Sequence, residues 1–167
     1  MAAPTNPVKQ PIAVARRVGY SAGDPQEGFN EANSQTFLQF SFVTLSSGLV
    51  AIATSPLSSS NKTIGLADRA GSNTSVSKPI NVLLVCPDSM IYEGTLSKTG
   101  TTGVFAQTDV GLIYPVTLDT GSNNWYVDKT STSTDGAIVL GLKTGQTTST
   151  VDPRVFFKLT RGLLLGA

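Results

Sequence analysis

Histidine is absent from this 167-residue chain, and cysteine occurs once, at Cys86. Without histidine there is no Ser-His-Asp or Cys-His nucleophile system and no histidine-ligated metal. A single thiol cannot form an intrachain disulfide, so secretion is not implied, and within its apolar run Cys86 reads as a small hydrophobe. Charge is also scarce: 12 basic and 11 acidic residues make up 14% of the chain, with a net charge of +1. Arg16-Arg17 is the one adjacent basic pair. Binding a phosphate backbone needs several cations converging on one face, so no nucleic-acid partner is expected. No apolar run approaches the roughly 18 residues that a membrane helix requires. The opening MAAPTNPVKQPIAVARRVG is interrupted by Pro4, Pro7 and Pro11 and lacks the apolar centre of a secretory signal. A soluble chain starting at or near Met1, with no cofactor and no membrane partner, is the expectation.

What is present is serine, threonine and short apolar runs, a composition common in weakly charged β proteins. A chain of this length is expected to form one domain and can bury roughly 70% of its unfolded surface without a metal or disulfide. Residues 1–35 stand apart. Pro4, Pro7, Pro11 and Pro25 fix φ and remove backbone donors, which disfavours a helix or a central strand before about residue 30. Lys9, Arg16 and Arg17 come first, then Asp24, Glu27 and Glu31. The stretch reads as an extended arm lying along another subunit, with Ile12, Val14, Val18, Tyr20 and Phe29 as apolar anchors beside Arg16 and Arg17; a floppy terminus is the plainer alternative.

From Phe37 the pattern is strand and turn. Phe37 to Leu45 alternates, with Leu38, Phe40 and Phe42 on one face and Gln39 and Ser41 on the other. Ser46-Ser47-Gly48 predicts a hairpin turn into Leu49–Thr54. Strands are further predicted over 63–68, 80–86, 90–96, 104–107, 112–118, 125–127, 137–142 and 154–159. The run at 80–86, β-branched and aliphatic, suggests burial on both faces. The fold class is therefore all-β: a single barrel or sandwich of about nine to ten short strands over 36–167, preceded by the arm. At the end, Leu163, Leu164 and Leu165 would be a costly exposed patch; they pack either under the barrel or in a subunit contact.

One triplet carries a chemical suspicion. Asp119-Thr120-Gly121, after the apolar Val116–Leu118, resembles the active-site loop of aspartic proteases, where two carboxylates share a proton. With one such triplet the chain would have to act as a dimer, and Ile138-Val139-Leu140-Gly141 follows too closely to leave room for a flap. Asp-Thr-Gly-Ser-Asn-Asn is also dense in turn formers. The turn reading is preferred, and no enzyme is expected. Asn61 and Asn73 head sequon matches better read as turns, and Gly100–Gly103 is too short to cradle phosphate. Asp88 and Glu93 match an acid/base pair only loosely.

With the strands laid out, residues 63–160 resemble the barrel of capsid decoration (cement) proteins of tailed bacteriophages. The resemblance rests on Thr63–Ala67, Ile80–Val85, Ile91-Tyr92-Glu93-Gly94 and Thr108-Asp109-Val110-Gly111-Leu112-Ile113-Tyr114. It continues through the Ser/Thr-rich turn after Asp128, Ala137–Leu142 and Val155–Leu159. It implies a non-enzymatic virion protein, often a homotrimer, that binds the outer head surface where major capsid proteins meet. Residues 1–35 lie outside it. The alternative is a receptor- or glycan-binding domain of a virion fibre or tail, with exposed Trp125, Tyr126 and Tyr92 as stacking residues.

Overall fold

The structure, a computed structural model, describes residues 12–17, 26–73, 78–85, 90–98 and 103–164, with backbone alone for 14–17, 26, 27 and 73. Its strands are β1 (Ala13–Arg17), β2 (Gln26–Asn30), β3 (Gln35–Phe37), β4 (Phe42–Ser46), β5 (Leu49–Ile52), β6 (Thr63–Ala67) and β7 (Gly71–Asn73). They continue as β8 (Pro79–Leu84), β9 (Met90–Thr95), β10 (Ile113–Tyr114), β11 (Val116–Asp119), β12 (Asn124–Val127), β13 (Ala137–Leu142) and β14 (Arg154–Leu159). Two five-stranded antiparallel sheets carry the fold, ordered β1-β9-β14-β13-β10 and β2-β8-β6-β4-β5. Two ribbons, β11-β12 and β3-β7, complete it. The protein is all-β, as the spacing predicts. It is a sandwich of open sheets with no closed barrel among the described residues.

The second sheet is buried on both faces, and its sequence shows why. Along β4 and β8, successive side chains point to opposite faces, and in β6 an irregular register opposite Val43/Thr44 puts Ile64 on the side of Ala67 and not of Leu66. Phe42, Leu66 and Leu83 enter the main core, shared with the first sheet. Val43, Ile64, Ala67, Ile80 and Val82 enter a second, smaller cluster roofed by Phe37 of β3. Phe37 lies across Gly71 of β7, its partner in register; a Cβ on Gly71 would meet that ring at 2.3 Å. Past β2, Glu31 bridges to Val50 of β5 and draws the far edges of the sheet together without closing it.

The main core is organised by aromatic contacts. Trp125 of β12 meets Phe42 edge-on, with centroids 5.6 Å apart. Phe42 meets Tyr92 of β9 at 5.8 Å, and Tyr92 stacks on Phe157 of β14 at 5.5 Å. The ribbon and both sheets are thereby joined through one line of rings, each pair adding about 0.5–1.5 kcal/mol beyond its area burial.

Several strands match expectation and others do not. Ser47 and Gly48 make the β4–β5 turn with φ of 51° and 78°, the left-handed pair that a two-residue type I′ hairpin requires. The strand expected from Phe37 to Leu45 is broken: Phe40 adopts φ 63°, its N–H bonds to Ala67 O at 2.8 Å, and Leu38 is left exposed. The strand expected over 104–107 is irregular chain leading into a short 3-10 turn, Gln107–Asp109. Pro115 divides the expected 112–118 strand into β10 and β11.

The described part of residues 1–35 forms two strands. β1 pairs with β9 and β2 with β8, each as the edge strand of its sheet. Proline is tolerated beside edge strands, because a missing donor there breaks no central ladder. Ile12 is 0% exposed in the main core, and Phe29 is half-buried against the second cluster. Val14, Arg16 and Arg17 lie in β1; Val18, Tyr20, Leu165 and Cys86 lie outside the described residues.

Leu163 and Leu164 are 0% and 2% exposed within the main core, and Leu164 bridges to Thr63 beside β6. Of the two readings of the leucine run, packing beneath the sheets is the one these two residues follow. Leu163→Ala should therefore lower unfolding stability by about 2–5 kcal/mol in urea titrations of the dilute protein. A residue serving only a subunit contact would leave dilute stability unchanged.

Candidate functional site

Asp119 ends β11, opposite Asn124 at the start of β12. Its Oδ1 accepts the Gly121 N–H at 3.0 Å and its Oδ2 accepts the Ser122 hydroxyl at 2.6 Å. Asn123, at φ 55°, donates its N–H to Asp119 O at 2.7 Å. Both carboxylate oxygens thus hold the hairpin turn, with the side chain 5% exposed. This is the turn role expected of Asp, Gly, Ser and Asn in that order.

Asp109 has a larger part. It is 3% exposed, at the end of the 3-10 turn, with Gly111 beyond it at φ 85°. Its Oδ2 accepts the Ala106 N–H and the Lys129 ammonium, both at 2.7 Å, and its Oδ1 accepts the Tyr114 hydroxyl at 2.8 Å. Burial alone would raise this carboxyl, but the Ala106 N–H, Lys129 and Tyr114 outweigh it and hold the pKa below the usual value. Tyr114 is pushed up to about 12, by burial first and then by Asp109. Asp109-Val110-Gly111 is therefore a pinned corner joining 103–112 to β10 and to the 128–130 turn.

Glu93 of β9 forms the other ionic node, with Lys143 at 2.8 Å and the Arg154 guanidinium in contact with the same oxygen. Burial works against ionisation there, yet the two cations keep its pKa low. An acid so held ionised is unsuited to general-acid work at neutral pH. Asp88, its suggested partner, lies outside the described residues. Asn61 uses its amide within the loop, donating to Thr54 Oγ1 at 3.2 Å. No group of three or more metal-ligating side chains occurs among the described residues.

The aromatic residues offered for glycan stacking are inside the protein. Trp125 is 1%, Tyr92 1% and Tyr126 7% exposed, so none presents a ring face to solvent. Tyr92 follows the inward face of β9, whereas Trp125, Tyr126 and Val127 of β12 are buried in succession, which composition alone does not reveal.

Two surface features stand out beside the Asp109 corner. The first is apolar: Val104, Val110, Leu112, Leu140 and Val151 are each at least 40% exposed. Their segments are held side by side by bonds from Gly111 N to Val139 O, from Val139 N to Leu112 O and from Asp152 N to Gly103 O, at 2.8, 3.0 and 2.9 Å. Asp152 tightens this junction, accepting the Gly103 N–H at 2.9 Å and the Ser97 hydroxyl. The second feature is a cleft of about 330 Å³ between 96–98, 103–104 and 126–130. Sequence reasoning missed both. Val104, Leu112 and Leu140 fall within expected strands and Val110 within a turn, and the cleft joins segments about thirty positions apart.

No known protein family matches the chain, and comparisons with curated proteins and with solved structures find no match.

The Asp109 corner yields a pH test. Its folded-state pKa is depressed, so its stabilisation is present above the unfolded carboxyl value near 4 and is lost as pH falls through the folded value. Asp109→Asn should cost about 1–3 kcal/mol at neutral pH. It should also flatten the loss of stability below about pH 4. Thermal melts of both proteins across that range check the sign; parallel curves would assign the acid sensitivity elsewhere.

Proposed function

We propose that this protein is a non-enzymatic virion component, a capsid decoration protein of a tailed phage. In this reading it binds the outer head surface as a homotrimer and stabilises joints between major capsid proteins. The observation that carries the reading is that five of the six exposed large hydrophobic residues among the described ones, Val104, Val110, Leu112, Leu140 and Val151, lie on the 103–112 segment or beside residues hydrogen-bonded to it, and exposed apolar surface concentrated in this way marks interaction sites. Two of them, Val110 and Leu112, belong to the Thr108–Tyr114 motif on which the resemblance to cement proteins rests. The physics suits the role: added buried area across a joint opposes its separation, and this requires neither a nucleophile nor a metal. The host cytoplasm would be the place of synthesis and the mature head the place of residence.

The edge-strand positions of 13–17 and 26–30 change how an N-terminal contact should be tested. Deleting residues 2–30 would remove both edge strands and Ile12 from the core, so the informative deletion is 2–11. Two tests follow, both by sedimentation with purified expanded heads. The double variant Leu112→Asp, Leu140→Asp should stay folded, within about 1 kcal/mol of the parent, and lose most head association. Deletion of 2–11 should weaken association if that stretch grips the shell. Parent-like binding by the double variant would overturn the apolar face as the docking surface.

A further inference from the structure

We propose that the cleft between residues 96–98, 103–104 and 126–130 is a binding site for one neutral sugar ring, either free or at the end of a glycan. Its volume of about 330 Å³ lies at the lower end of the range for small-molecule sites, about 300–1,000 Å³, and suits a single ring better than a chain. The lining is mixed in the way a polyol needs. Val104, well exposed, supplies apolar surface for a ring's C–H face, and around it stand Ser97, Lys98, Asp128, Lys129 and Thr130 as donors and acceptors.

The charges decide the ligand class. Lys129 is matched by Asp109 behind the cleft wall, at 2.7 Å, and also donates to Val104 O at 2.9 Å. Asp128 accepts the Thr130 N–H and hydroxyl through Oδ1, at 3.0 and 2.7 Å. Its Oδ2 has the Tyr126 hydroxyl at the long distance of 3.4 Å. A carboxylate oxygen so lightly engaged retains the capacity to accept a further hydroxyl proton. An anionic ligand would meet Asp128 at close range, and a cationic one would meet Lys98 and Lys129. A neutral polyhydroxylated ring satisfies both sides, donating to Asp128 and accepting from an ammonium. The mode differs from stacking on an exposed aromatic platform, because Tyr126 is nearly buried and presents no open ring face.

The test uses the full chain, labelled for amide NMR and titrated with neutral hexoses, their methyl glycosides, uronic acids and inorganic phosphate. At least one neutral hexose should shift resonances confined to 96–98, 103–104 and 126–130 with a dissociation constant of about 1 mM or tighter. A methyl glycoside that binds equally well identifies a glycan terminus as the source; binding of the free sugar alone identifies a free monosaccharide. Val104→Trp, at a position 53% exposed, should fill the cleft and abolish the shifts while the remaining spectrum stays parent-like. Thr130→Trp, at an exposed position, serves if the first variant misfolds. Asp128→Asn should weaken binding about tenfold. The proposal is overturned if no neutral hexose shifts the cleft at about 50 mM, well above the expected constant. It is equally overturned if phosphate or uronate binds more tightly, or if filling the cleft leaves binding unchanged.

Discussion

The rest of the structure depends on Phe42. Its ring touches both Trp125 of the β11-β12 ribbon and Tyr92 of the opposing sheet. Because β4 alternates, placing Phe42 toward the main core forces Val43 into the second cluster on the other face. Register slippage by one residue would exchange a phenyl ring for an isopropyl group at the centre of both clusters. The same strand therefore fixes the spacing of the sandwich and the packing of its smaller hydrophobic layer.

Carboxylates fasten loops around that framework. Glu31 is 0% exposed and meets Arg69 at 3.1 Å where the second sheet curls. Glu93 joins the β9–β14 pairing to Lys143. Asp109, Asp119 and Asp152 each tie a turn through backbone N–H groups or neighbouring hydroxyls. A chain with few charges thus commits a good share of its acids to internal bonds. The surface around 103–112 carries exposed Val104, Val110 and Leu112 beside exposed Gln107 and Thr108, next to the cleft.

Local patterns made some elements legible in the sequence and left others hidden. The Ser47-Gly48 turn, β6, β9, β13 and β14 follow from alternation and turn chemistry, because each is decided by adjacent residues. β1 and β2 were hidden by the prolines around them, whose restriction weighs heavily on central strands and little on edges. The break at Phe40 was hidden because a bulky residue at positive φ contradicts local preference, and a tertiary bond to Ala67 overrides it. At the candidate site, Asp119 as a turn residue was readable from its neighbours. The burial of Asp109 and its ion pair were not, because Lys129 reaches it from twenty residues away. The burial of Trp125 and Tyr92 depends on which face of a strand the sheet covers, and that is settled only once both sheets are paired.

Ile12, Tyr92 and Phe157 share one core with Leu163 and Leu164, so that core draws on segments from near the first described residue to the last. Few of its contacts are local, and contact patterns of this kind fold slowly because chain closure precedes any reward. During synthesis the two sheets cannot seal against each other until β14 and Leu164 have emerged, and the apolar inner faces stay open until then. Such a nascent chain offers unpaired strand edges to its neighbours on the same message. Its yield in a cell would be governed by how quickly the last dozen or so described residues find their place, more than by the stability of the finished fold.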